Sequence, residues 1–204
     1  MYIPPHFAFD DDEEIQELIR RWPLATVVVH GSDGLAANHI PLIIEQEQTG
    51  LILHGHIARA NPLSRIDDET PALAVFQGPS AYISPSWYAT KQQHEKVVPT
   101  WNYSAVHVSG TLTVIDNAEW TLSMVTRLTE MQESSMALPW QVSDAPTDFT
   151  QALLKSIVGI ELRVTYLQAK KKASQNQPEE NRYGVQQGLQ AISNPFAEEL
   201  SSHE

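Results

Sequence analysis

Apolar and polar positions divide the chain into one amphipathic helix, a run of strands and a helical remainder. Ile15, Leu18, Ile19 and Trp22 recur at helical spacing, and Asp10 to Asp12 stand where a helix start favours caps and acidic side chains. Pro23 ends that helix. Leu24 to His30 is β-branched and apolar, which predicts a strand, and Gly31-Ser32-Asp33-Gly34 predicts a hairpin turn. Leu35 to Glu45 predicts a second strand, with Pro41 at an edge or bulge because proline has no amide hydrogen to give a ladder. Gln46 to Gly50 turns again, Leu51 to Ile57 is a third strand, and Asn61-Pro62 opens a short helix. Ala72 to Gln77 is a fourth strand, ended by Gly78-Pro79, with Ala81 to Ser84 continuing in extended form.

From Val106 to Asp116, Val106, Val108, Gly110, Leu112 and Val114 alternate with polar residues, a fifth strand. Asp116 or Asn117 caps a helix that runs to about Glu133, and a short helix follows near 148–156. Ile160, Leu162, Val164 and Tyr166 alternate with Glu161, Arg163 and Thr165, the sixth strand. The tail, 177–204, is helical over 179–191 and frayed at its end. Six strands with closely spaced turns and helices at the flanks predict a mainly β chain, one domain over 1–204, built as an antiparallel barrel. Alternating βα units, a glycine-rich dinucleotide fingerprint and a P-loop are all missing from the sequence.

Composition narrows the chemistry. The 204 residues carry a formal charge of −12, and 42% are hydrophobic, enough to build a core. An acidic chain lacks the cations that neutralise DNA phosphates, so direct non-specific DNA binding is expected to be weak. Cysteine is absent, which removes disulfides, thiolate catalysis and metal–sulfur sites. No apolar run reaches the ~18 residues that span a bilayer. The acidic N-terminal stretch does not read as a signal peptide, and a cytoplasmic location is expected.

Four places can carry chemistry. On the third strand, period 2 puts Ile52, His54 and His56 on one face and Gly55 on the other, where a backbone or a flat ligand can approach closely. Arg59 and Asn61 follow at a helix start, a plausible phosphate seat. The plain alternative is two solvent-facing histidines, a capping Asn and a surface Arg. A metal site on His54 and His56, with His39 or His107, is the weaker option because no carboxylate-rich partner motif accompanies them. Segments 78–88 and 98–103 are stiffened by proline and rich in Trp and Tyr, including Trp87 and Trp101, and suit an aromatic ligand, a subunit interface or a cover for the barrel's mouth. Lys170-Lys171-Lys172, the one basic run, suggests an anion contact or a solvated strand end.

Several blocks together resemble one family, the PaiB-like FMN-binding negative transcriptional regulators. They are Met1-Tyr2-Ile3-Pro4, His54 to Pro62 (HGHIARANP), Ser84 to Tyr88 (SPSWY), Val98 to Tyr103 (VPTWNY), Val106-His107-x-x-Gly110, Ile157 to Glu161 (IVGIE) and Lys172-x-Ser174-Gln175-Asn176. The resemblance implies a six-stranded FMN-binding split barrel that works as a homodimer with flavin at the subunit interface. It implies that Arg59 and Asn61, in the segment from His56, hold the flavin phosphate. Asn38, His39 and Ile40 would run along the isoalloxazine. Lys172, with Ser174 and Gln175 in its block, would supply the second charge. Trp87 and Trp101 join that set of cofactor-contacting candidates with His54 and His56. Three functions follow: an FMN-binding regulator acting through a redox state or a partner, a flavin-dependent oxidoreductase on a small aromatic substrate, and a flavin-free interaction module.

Overall fold

Local signals place most elements. The computed structural model describes residues 1–31 and 34–201. In chain order these hold α1 (Asp12–Arg21), β1 (Leu24–Gly31), β2 (Gly34–Pro41), β3 (Ile43–Glu47), β4 (Gly50–Ala58), β5 (Thr70–Ile83), α2 (Lys91–His94), β6 (Thr100–Ile115), α3 (Ala118–Glu133), α4 (Thr147–Leu154), β7 (Ile157–Lys172), α5 (Glu179–Ala191) and α6 (Phe196–Ser201). Short 3-10 turns lie at Pro5–Phe7, Pro62–Arg65, Pro85–Trp87 and Val142–Asp144. Asp11 starts α1 by accepting from the amides of Glu13 and Glu14 at 3.0 and 2.9 Å. Asn117 starts α3 by accepting from the amide of Trp120 at 3.0 Å. α5 covers the predicted 179–191.

The sheet differs from the expectation. It has seven strands in the order β2-β1-β5-β6-β7-β4-β3 and does not close, whereas the sequence predicts a closed barrel of six. The added strand comes from Pro41. The predicted strand 35–45 breaks there into β2 and β3, because proline cannot donate to a ladder. The next amide, of Leu42, leaves the ladder for the carbonyl of Pro23 at 2.9 Å. β2 then pairs antiparallel with β1, and β3 with β4, at opposite ends of the strand order. The predicted turn at 31–34 falls partly on Ser32 and Asp33, outside the described residues, while Gly31 and Gly34 face each other in register.

Other boundaries move as well: β6 begins at Thr100 instead of Val106, and β7 runs on to Lys172 past Tyr166. β5 runs through Gly78-Pro79 instead of stopping there, since Gly78 lies so close to β6 that a Cβ would sit 2.3 Å from Ser104 Oγ. The tail is not simply frayed beyond α5: α6 follows, and Phe196 is fully buried at its start; 202–204 lie outside the described residues.

The chain packs as two compact units, one of residues 1–18, 77–106 and 168–204, the other of 19–76 and 107–167. In the first, Ile83, Tyr88, Val185, Leu189 and Phe196 form a core cluster. Trp87 packs beside it against the glycines of α5. In the second, α3 sets Met124 and Leu128 against Ile43 of β3. β4 is covered on both faces there, with Ile52, Leu53, His54 and Ile57 all buried.

Candidate functional site

Gly55 permits a close approach, as its place on β4 suggests, but by protein. A Cβ there would lie 2.6 Å from Leu42 Cδ2 and 3.0 Å from the carbonyl oxygen of Pro41. The chain leaving β2 fills that space.

Of the two β4 histidines, His54 is buried and His56 half-buried. His54 is 3% exposed, and its imidazole lies between two carboxylates. Nδ1 is 2.7 Å from Glu45 Oε2 and Nε2 is 3.2 Å from Glu161 Oε2, while Trp120 of α3 packs edge-on at 5.1 Å. Arg127 of α3 donates to both oxygens of Glu45. Burial alone would raise the Glu45 pKa, but the hydrogen bonds from Arg127 and His54 outweigh it and hold the pKa below its ordinary value. This network ties α3 to β3 and β4. His56 lies two residues on, with Nδ1 buried and, among the described residues, unpartnered, and burial lowers its pKa. His39 is exposed and its Nδ1 meets Thr26 Oγ1 at 3.1 Å. Ile40 is buried in the core. Among the described residues no three His, Asp or Glu side chains are arranged to hold a metal ion.

Arg59 and Asn61 part company. The guanidinium of Arg59 makes two parallel 2.7 Å bonds to Asp116 and donates from Nε to the carbonyl of Lys155 at 3.0 Å. Hydrogen bonding from Arg59 lowers the pKa of Asp116 in return. Asn61 instead lines an open cleft of about 640 Å³ between β2 and the turn Pro62–Arg65. Its Oδ1 caps that turn by accepting from the amide of Leu63, and its Nδ2 donates to Asn38 Oδ1, both at 2.9 Å. Ala36 and Ala37 of β2 add small residues to its lining, and Leu63 and Ile66 add apolar wall. The cation on this cleft is Arg65, which forms no ion pair among the described residues. Arg59 is not part of its lining.

The remaining candidates lie in the first compact unit. Lys172 Nζ donates to Thr100 Oγ1, and burial lowers its pKa. Ser174 adopts φ of 62° and accepts from Asn102 Nδ2 at 2.8 Å, a fully buried pair. Gln175 accepts from the amide of Ala173 at 2.6 Å and donates to the carbonyl of Lys171. The Ser174 and Gln175 side chains thus hold the end of β7. The lysine run is not a solvated strand end: Lys170 and Lys171 are 8% and 7% exposed, with Lys170 Nζ over the ring of Tyr103 and Lys171 paired to Glu199 at 3.7 Å. Trp87 is built into the α5 contact, whereas Trp101 is exposed and edge-on to exposed Tyr82 at 6.1 Å.

Of the sequence candidates, then, Asn38 and Asn61 meet in one cleft. Sequence reasoning missed Arg65, although it stands only four residues beyond Asn61. It also missed Glu45, Arg127 and Glu161, which no local pattern links to His54.

Comparison with known proteins agrees with this frame. Residues 1–166 match the family model described as "Putative FMN-binding domain". The protease synthase and sporulation protein PAI 2 of Bacillus subtilis is 33% identical over 202 residues, covering 98% of this chain and 95% of that protein. An uncharacterized protein of Emericella nidulans is 31% identical over 231 residues, covering 94% and 91%. Among solved structures, the FAD and heme binding protein of Mycobacterium smegmatis superposes with a TM-score of 0.61 at 16% identity, over 86% of this chain and 78% of that one. The flavocytochrome Anf3 of Azotobacter vinelandii gives 0.59 at 12%, over 89% and 78%. These two likenesses are of fold. The family match and the near full-length identity to the Bacillus protein place the chain in the PaiB-like FMN-binding family, with FMN as its cofactor.

Proposed function

We propose that the chain is an FMN-binding regulator whose flavin lies in the cleft of Asn38, Asn61 and Arg65, and that it works as a homodimer. The observation that carries the site is Arg65, a cation without a carboxylate partner among the described residues, on a cleft already organised by the Asn61–Asn38 hydrogen bond. The cleft suits the group. The small residues Ala36 and Ala37 in its lining leave room for a flat ring, its amides offer hydrogen bonds, and Asp67 on the same cleft offers an acceptor to hydroxyls. Bound FMN would supply one- and two-electron redox chemistry. Arg65 would hold the phosphate by charge-assisted bonds, and Asn61 would fix the turn that carries it. Arg59, committed to Asp116, would brace the end of β4 from outside the cleft.

The regulatory reading rests on the PaiB-like family, and charge decides its route. The one basic run is folded inward at Lys170 and Lys171, and the chain carries −12 overall, so a transcriptional effect would pass through a partner protein. The exposed Tyr82–Trp101 pair supports a subunit contact, to be checked by light scattering.

The site is tested by FMN and riboflavin titrations of Arg65→Ala and Arg59→Ala. Loss of one solvent-exposed phosphate contact should weaken FMN binding by about tenfold in Arg65→Ala. Riboflavin, which lacks the phosphate, should bind that variant as it binds the parent. Arg59→Ala should leave the FMN preference intact. The reverse pattern, loss confined to Arg59→Ala, would move the phosphate to Arg59 and overturn the assignment.

A further inference from the structure

A second cavity, of about 300 Å³, shares no lining residue with the cleft. It lies among β4, α3, α4 and the segment around Trp140. Its wall is formed by Val125, Leu154 and Ile157, with Trp140, Phe149 and Leu153 about half exposed around it. Among the described residues no Lys, Arg, Asp or Glu lines it. Large apolar side chains left half in water around a hollow, instead of closed upon it, need a reason.

The surround is held in place. The amide of Trp140 donates to Glu133 Oε2 at 3.0 Å. The next amide, of Gln141, donates to Asp144 Oδ2 at 2.9 Å, and the amide of Asp144 returns to the Gln141 carbonyl at 2.9 Å. The segment carrying Trp140 is therefore pre-set rather than free to collapse inward.

His56 gives the cavity its polar feature. The hydroxyls of Thr150 and Ser156, also on the lining, donate back to the carbonyls of Pro146 and Leu153 at 3.3 and 2.6 Å. His56 Nδ1 is buried without a partner among the described residues. A buried N–H with no acceptor is disfavoured more than a bare lone pair, so the ring proton belongs on Nε2. Burial lowers the pKa of this imidazole and keeps it neutral near pH 7. Nε2–H is then the donor left for an occupant.

We propose that this cavity binds a small neutral aromatic molecule of one or two rings that carries a single hydrogen-bond acceptor, its ring against Trp140 and Phe149 and its acceptor on His56 Nε2. The volume sits at the lower end of ligand pockets, which sets the ring count. The uncharged wall excludes anions and cations, and the one donor selects a carbonyl, an ether or an aromatic nitrogen. This site does not depend on where flavin binds.

Quinoline is the probe, naphthalene is its shape match without the acceptor, and quinoline-2-carboxylate is its charged counterpart. Binding to the full chain is read by calorimetry and by quenching of tryptophan fluorescence. Quinoline should bind saturably at one site per chain, naphthalene about tenfold more weakly, and the carboxylate more weakly still. His56→Phe should remove quinoline's advantage over naphthalene. Leu154→Trp should fill the cavity and abolish both; Thr150→Trp, from the same wall, serves if the first variant does not fold. Excess FMN should not displace quinoline. The proposal is overturned if quinoline fails to saturate, if it binds no better than naphthalene, or if it binds the filled variants as well as the parent. It is equally overturned if filling the cavity changes the mass in light scattering, because the occupant is then a second copy of the chain.

Discussion

Alanine at Gly184 and Gly188 of α5 should test whether the tail helix is docked as described. On an open helix face, Gly→Ala stabilises by about 1 kcal/mol, since alanine loses less backbone freedom. Here the sign should invert. A Cβ at Gly188 would lie 2.3 Å from Trp87 Cδ2 and 2.4 Å from Cε2, inside a rigid indole. A Cβ at Gly184 would lie 1.9 Å from the carbonyl oxygen of Trp87. That carbonyl cannot recede cheaply. The amide of Trp87 is bonded to the Ser84 carbonyl at 3.1 Å, and the amide of Ser86 to the Ser84 hydroxyl at 3.2 Å. Overpacking costs about 1–3 kcal/mol. Subtracting the helix gain leaves Gly188→Ala destabilised by up to about 2 kcal/mol, and Gly184→Ala at or above that figure because it strikes backbone. A chain of this size loses about 2–4 °C of Tm per kcal/mol, so Gly184→Ala should melt roughly 4–8 °C lower. Thermal unfolding by far-UV circular dichroism gives the shift, and near-UV dichroism reports whether Trp87 keeps its packing. If both variants melt higher than the parent, helix propensity alone governs α5 and its close contact with Trp87 is wrong.

Three other outcomes are expected. Asn61→Ala removes the cap on Leu63 and the bond to Asn38, and should cost about 1–2 kcal/mol in denaturant unfolding; an unchanged midpoint would mean that the cleft is not organised by this side chain. Asn102→Ala strips the buried Ser174 hydroxyl of its partner and should cost about 1–3 kcal/mol, measured the same way, with no effect expected if water can enter to replace the amide. Burial holds the pKa values of His56 and His107 below the ordinary 6.5, so the unfolded chain binds more protons than the fold in that range. Stability should be level above about pH 6.5 and fall as pH drops toward the depressed folded values, and His56→Leu should shrink that slope. The lowered pKa values of Glu45 and Asp116 act separately, only as pH falls below their ordinary 4.5 and 3.8.

What could be read in advance was what neighbours in sequence decide. Asn117 caps α3 because its oxygen reaches an amide three residues on, and that is written in the local order of residues. The alternation around Val106 and Ile160 likewise marks two long strands. The surroundings of His54 were not legible, because period 2 tells which residues share a face but not what covers that face. α3 lies across β4, and Arg127 and Glu161 stand 82 and 107 residues from the groups they meet. The lysine run left an anion contact and a solvated strand end both open for a similar reason. Nothing local shows that β7 carries Lys170 beneath Tyr103 and Lys171 against Glu199. The sequence singles out Arg59 as the phosphate ligand and passes over Arg65, because no local pattern shows that Asp116 engages the Arg59 guanidinium.

The one-residue link between β2 and β3 has a bearing on how this chain can change over time. Leu42 alone joins a strand registered on β1 to a strand registered on β4. An insertion there, with β2 held in place, would slide β3 by one position and put Ile44 where Glu45 now meets His54. It would also disturb the packing of Pro41 and Leu42 over Gly55. An insertion at Gln48 or Thr49, an exposed two-residue turn, would only lengthen a hairpin loop. Between Pro23 and Gly50, descendants of this chain can therefore drift in residue type far more freely than in length, and length changes should collect at the turn and be missing from the link.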